Sequence, residues 1–149
     1  MNITLEAIKS EQSKIAAMIA AFEQQPSYPI TIPFPTLNEG EKFIGVIVSA
    51  DGSKRHALIL LPGMRVGINW DDSMAWAKSI GGELPDRCES ALLFATMKDE
   101  FSPEWYWTRE QHAADSGYAW SQLFINGGQD DYHKSYEGHA RAVRRLEIQ

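Results

Sequence analysis

The stretch Gly81–Phe101, GGELPDRCESALLFATMKDEF, decides how the chain is read. Two glycines end whatever precedes them, because glycine reaches the backbone angles that close a helix. Leu84-Pro85 then fixes an extended corner, since proline disfavours helical geometry in the residue before it. Asp86 with Glu89 three residues on is a capping-box start. Leu92, Phe94, Ala95 and Met97 supply an apolar face, and the pattern fades near Asp99. The spacing predicts a helix that begins at a proline corner.

N-terminal to this corner, NWDDSMAWAKSIGG predicts a second short helix. Asn69 or Asp71 caps it, Trp70, Met74 and Ala77 share a face, and Gly81-Gly82 ends it. Earlier still, Phe43–Val48 and His56–Leu61 are apolar and partly β-branched, with Asp51-Gly52 between them and Pro62-Gly63 behind. These predict a β-hairpin. C-terminal to the corner, WYWT, YAWSQLF and ARAVRRLEI read as short strands separated by polar or glycine-containing loops. Hairpin, two helices and a late antiparallel sheet make an α+β fold over residues 41–149.

Residues 2–25 form a separate signal. Thr4 caps, Pro26 stops, and Leu5, Ile8, Gln12, Ile15, Ile19 and Phe22 recur in steps of three and four. That is a heptad seam with Leu5, Gln12 and Ile19 at a and Ile8, Ile15 and Phe22 at d. It predicts an oligomerisation helix over 1–25, as a short coiled coil of a homo-oligomer. The alternative is an amphipathic helix packed on its own domain. Isoleucine at d favours a trimer over a parallel dimer, which prefers leucine there, and a buried Gln12 would set register. Residues 26–40 carry four prolines. Their fixed φ and missing N–H groups predict an extended linker.

With 149 residues, 44% of them apolar, the chain has enough material for one core. A net charge of −6 excludes general nucleic-acid binding, which needs cationic surface. No apolar run is long enough to cross a membrane, and no secretory signal precedes the first helix. The single cysteine, Cys88, excludes an intramolecular disulfide or a cysteine metal cluster. It sits in the first turn of its helix beside Arg87, where dipole and cation act to lower a thiol pKa, and an ordinary helix residue is the preferred reading.

In the same order as the elements stand WDDSMAWA (70–77), GGELPDRCES (81–90), WYWT (105–108), YAWSQLF with the GGQ that follows it, and RAVRRL (141–146). Over residues 43–147 this resembles a family of bacterial and phage domains of unknown function with the C-type-lectin-like fold. The C-terminal domain of the Legionella collagen-like adhesin is one described type. The chain is more loosely similar to phage tropism determinants and other variable proteins of diversity-generating retroelements. Where the family usually shows Gly-Trp-Arg-Leu-Pro, residues 81–85 read Gly-Gly-Glu-Leu-Pro. The resemblance implies chain ends close together, two helices flanking a small sheet, and a ligand face made by the late strands and loops. It also implies a phage or prophage protein, in the particle or in the host cytoplasm.

Within that frame Asn126–Glu137, NGGQDDYHKSYE, reads as the recognition loop. Tyrosines among adaptable polar residues offer wide contact at low entropic cost. The expected ligand-binding residues are Asn126, Gln129, Asp130, Tyr132, His133 and Tyr136, with Trp105 and Arg109 joining them through the late sheet. The ligand is a protein, a glycan or a small molecule, and no cofactor is expected. Asp130-Asp131 with Glu137 offers too few oxygens for a calcium site. Trp70, Trp76, Trp107 and Trp120 are read as core. His112, Asp115 and Ser116 are close in sequence, but a triad needs hydrogen-bonded geometry that proximity does not supply. Formylglycine-generating enzymes share the broad fold and use paired cysteines, which are lacking. The expected function is non-catalytic binding. The alternatives are an assembly accessory docking through its N-terminal helix, and an enzyme of unknown chemistry. Arg141 and Arg145 are expected on one side of the last strand and Arg144 on the other.

Overall fold

The computed structural model describes residues 2–26 and 34–149. Of the linker expected over 26–40, residues 27–33 lie outside them. The chain divides between Phe34 and Pro35 into two compact units.

The first unit holds helix α1 (Leu5–Glu23). Thr4 is extended and its hydroxyl accepts the Ala7 N–H at 3.2 Å, satisfying one of the amides a helix start leaves open. Taken by itself the helix buries none of its side chains. Leu5, Ile8, Ile15, Ile19 and Phe22 are between 51% and 73% exposed.

The second unit is an α+β domain. Strands β1 (Lys42–Val48) and β2 (Arg55–Leu60) form the hairpin, with a register shift between Phe43 and Gly45. Asp51 organises the turn: its carboxylate accepts from the Ser53 amide and from the Ser49 and Ser53 hydroxyls. Strand β3 (Arg65–Ile68) leads into α2 (Trp70–Ser79), and α3 (Arg87–Met97) follows the proline corner, ending in a 3₁₀ turn at Lys98–Glu100. Then come β4 (Trp105–Gln111), β5 (Tyr118–Leu123), β6 (Gln129–His133), β7 (Gly138–Ala140) and β8 (Val143–Glu147).

Two sheets result. One has the order β1-β2-β8, so the last strand pairs with the first hairpin; the other has the order β3-β7-β4-β5-β6. β2 is central in its sheet, and Ala57–Leu60 are all buried. A continuous apolar run rather than an alternating one is the signature of such a strand.

Two apolar clusters form the core. Leu58, Leu60, Leu93, Phe101, Tyr106, Phe124 and Val143 make one, with Phe101 stacked on Phe124 at 3.9 Å. Leu61, Trp70, Ala77, Leu84, Trp107 and Ala140 belong to the other. The indole N–H groups of Trp70 and Trp107 reach the carbonyls of Thr108 (2.8 Å) and Ile68 (3.0 Å), so both rings are buried without an orphaned donor.

The corner between the helices is built as expected. Leu84 and Pro85 are buried, and the Pro85 carbonyl accepts the Arg109 N–H at 2.9 Å. Asn69 caps α2, and Asp86 caps α3 in a complete capping box with Glu89. The apolar face of α3 differs from the expected one: Leu93 is fully buried, whereas Ala95 is exposed. Leu92, Phe94 and Met97 of the expected face are partly buried against the first apolar cluster, and Leu93 lies within it.

The arginine pattern also differs. Arg141 precedes β8 and is not part of it. Its guanidinium donates to the carbonyls of Glu100 (2.6 Å) and Leu61 (3.1 Å), tying the 3₁₀ turn to the end of the hairpin. Burial pushes its pKa down. Arg145 instead grips Glu89, with Nη2–Oε1 at 2.6 Å and Nε–Oε2 at 2.8 Å, and also pairs with Glu83. No helix among the described residues is long and apolar enough to cross a membrane.

Candidate functional site

Asn126–Glu137 is not one loop. Gln129–His133 forms β6, an edge strand paired with β5 from Tyr118↔His133 to Gln122↔Gln129. Successive side chains of a strand point to opposite faces, so this segment feeds two surfaces rather than one.

On one surface Tyr132 meets Trp105 edge-on at 5.0 Å and stacks on Tyr136 at 4.7 Å. Tyr136 also lies 6.1 Å from the buried Trp107. Tyr132 is packed against the core cluster, and burial raises its pKa, with Asp130 and Tyr136 adding to the effect. Trp105, Tyr132 and Tyr136 are therefore brought together, and partly as packing. His133 serves its own turn: Nδ1 lies 2.7 Å from the Ser135 hydroxyl. Asn126 does likewise, accepting the Gly128 amide at 2.9 Å. Asp130 Oδ1 accepts the Asp131 amide.

Gln129 and Arg109 lie elsewhere. They line an open cavity of about 760 Å³ in front of α3, together with Asp86, Arg87, Cys88 and Glu110. Gln129 is held at three points. Its Nε2 donates to the Arg87 carbonyl (2.8 Å) and to Gln122 Oε1 (2.7 Å), and its Oε1 accepts from Arg87 Nε at 2.9 Å. The Arg87 guanidinium lies over the Trp120 ring at 3.7 Å. The Arg87 amide donates to Glu110 at 2.6 Å. Arg109 is held loosely: its guanidinium is 3.5 Å from Glu83 and 3.9 Å from Asp86.

Gly127, on the cavity wall, has φ +80°, and a Cβ there would lie 2.7 Å from the Phe94 ring. Only glycine lets the β5–β6 turn pass this close to α3.

Trp120 was expected in the core and is only half-buried. Besides Arg87 it carries the His112 ring, stacked at 5.6 Å. An apolar strand pattern marks aromatic positions but not which of them a cation will cover. The Cys88 thiol pKa is raised, first by burial and then by the carboxylates of Asp86, Glu89 and Glu110. His112 and Asp115 serve a turn: His112 Nδ1 accepts the Ala114 and Asp115 amides at 3.1 Å, and Asp115 accepts the Gly117 amide. Among the described residues no group of three or more acidic, histidine or cysteine side chains is placed to hold a metal ion.

Sequence reasoning missed Arg87, Glu110 and Asp86 as cavity residues, and Trp120 as the ring that carries Arg87. The detectable signal was Arg87 itself, a cation at the first position of a helix, where the dipole disfavours it and another role must hold it.

No protein-family model matches this chain, and no curated protein matches it.

Proposed function

We propose that this protein is a non-catalytic binding module, and that the cavity in front of α3 is its ligand site. The observation that carries the reading is the placement of Arg87. Its guanidinium is oriented by the Trp120 ring and by Gln129, not neutralised by a carboxylate. A cation held in register by stacking and an amide is preorganised to meet a ligand, since the entropy of fixing it is already spent.

The arrangement of the domain supports a lectin-like fold. β8 returns to the first hairpin, α2 and α3 lie between the two groups of strands in sequence, and the late strands carry the cavity. The heptad seam of α1 supports presentation of several copies on a trimeric coiled coil, which would raise avidity without new contacts. A phage or prophage setting, in the particle or the host cytoplasm, belongs to the same reading.

Mass spectrometry of material released from the purified, denatured protein tests this. A variant carrying Arg109→Ala and Gln129→Ala should lose the bound compound, while Tyr132→Ala should keep it. The reverse pattern would move the site to the Trp105–Tyr132–Tyr136 surface. A protein carrying nothing would favour an accessory that docks through α1.

A further inference from the structure

The charges around the cavity restrict what it can hold. Two guanidinium groups, Arg87 and Arg109, and two carboxylates, Asp86 and Glu110, line it. Two backbone amides of the helix start are already engaged, Arg87 N–H by Glu110 and Glu89 N–H by Asp86. Donors remain on both arginines, and those of Arg87 are the more firmly placed. Its Nε is taken by Gln129, and among the described residues its two Nη groups have no hydrogen-bond partner. They form one edge of a fixed planar fork, the geometry that matches a carboxylate.

A simple anion placed there would also meet Asp86 and Glu110, and a simple cation would meet both arginines. The lining therefore carries both signs of charge. We propose that the cavity takes a small zwitterion, with its carboxylate on the Nη edge of Arg87 and its ammonium on Glu110. Opposite charges on one ligand satisfy both walls, whereas either charge alone leaves one wall unpaired. This inference rests on the cavity being the ligand site and adds the class of ligand.

The test is a nuclear magnetic resonance titration of the full chain, following the Arg87 Nε–H and Trp120 indole N–H signals. The probes are glycine, β-alanine and 4-aminobutyrate, against butyrate, butylammonium and inorganic phosphate. At least one amino acid should bind about tenfold more tightly than butyrate or butylammonium. Glu110→Gln keeps an acceptor for the Arg87 amide and removes the negative charge. It should weaken the amino acid about tenfold and bring butyrate up to match it. Arg87→Lys, which keeps the charge and loses the fork, should weaken the amino acid by a similar factor.

Butyrate or phosphate binding the wild-type cavity as tightly as any amino acid would overturn the zwitterion and leave the site standing. No movement of either signal with any probe at about 50 mM would overturn both.

Discussion

Glu41 shows how one side chain closes the domain. It stands just before β1, and Arg144 of β8 takes both its oxygens, at 2.9 and 2.8 Å. Asn38 adds its amide at 2.8 Å and its side chain at 3.2 Å. The Arg144 hydrogen bonds, opposed by burial and helped by Asn38, lower the Glu41 pKa from 4.5 to about 2. A carboxyl with a depressed folded pKa contributes stability above its unfolded pKa, and that stability is lost as pH falls toward the folded value. The window is therefore pH 4.5 down to about 2. After discounting for solvent screening the contribution is on the order of 1 kcal/mol. In urea titrations across this window the wild type should lose about 1 kcal/mol more than Glu41→Gln. Parallel curves for the two proteins would rule the pair out as a source of acid sensitivity.

Among the elements, α3 has the most to hold. Its capping box fixes where it starts, and Glu89, fully buried, fixes how it meets the first sheet. Burial alone would raise the Glu89 pKa; the Arg145 hydrogen bonds and the Asp86 amide outweigh it and lower it. His56 Nε2 lies 3.4 Å from the same carboxylate. Removing one partner of a buried pair leaves the other charge stranded. Glu89→Ala should therefore cost about 3 kcal/mol in equilibrium unfolding, the lower end of the usual range because Glu83 still meets Arg145. A loss below about 1 kcal/mol would show that the pair acts as a surface contact.

This helix was legible in the sequence because its signals are local: Asp86, Glu89 and the glycines before them. The hairpin was legible for the same reason. β3 was not, because RVGI offers few apolar residues and is defined by its partner β7. β6 was not, because QDDYH is polar and alternates only weakly, as an edge strand can. The candidate site was half legible. Gln129 and Arg109 were named, and Glu110 stands next to Arg109, but Arg87 and Trp120 come from two other places in the chain, and no spacing rule links them. Tyr132 and Tyr136 were read from composition, which does not separate recognition from packing.

At the scale of the whole molecule α1 is the element that calls for a partner. Its seam has no core of its own to enter, and three heptads of apolar residues on an isolated helix are marginal without a partner. Light scattering of the full chain should give the mass of a trimer, and removal of residues 1–25 should give a monomer with an unchanged domain spectrum. A full-length monomer would end the coiled-coil reading, and an oligomer unaffected by the truncation would place the contact on the domain.

The return of β8 to β2 has a consequence for biosynthesis. Ala57–Leu60 leave the ribosome early, yet the residues that flank them on one side, Val143–Glu147, are translated more than eighty positions later. For that interval a strand of alanine, leucine and isoleucine has an unpaired edge. Contacts between distant parts of a chain form slowly, because a long loop must close first. A cut between residues 60 and 143 would therefore leave the hairpin and its cover on separate pieces.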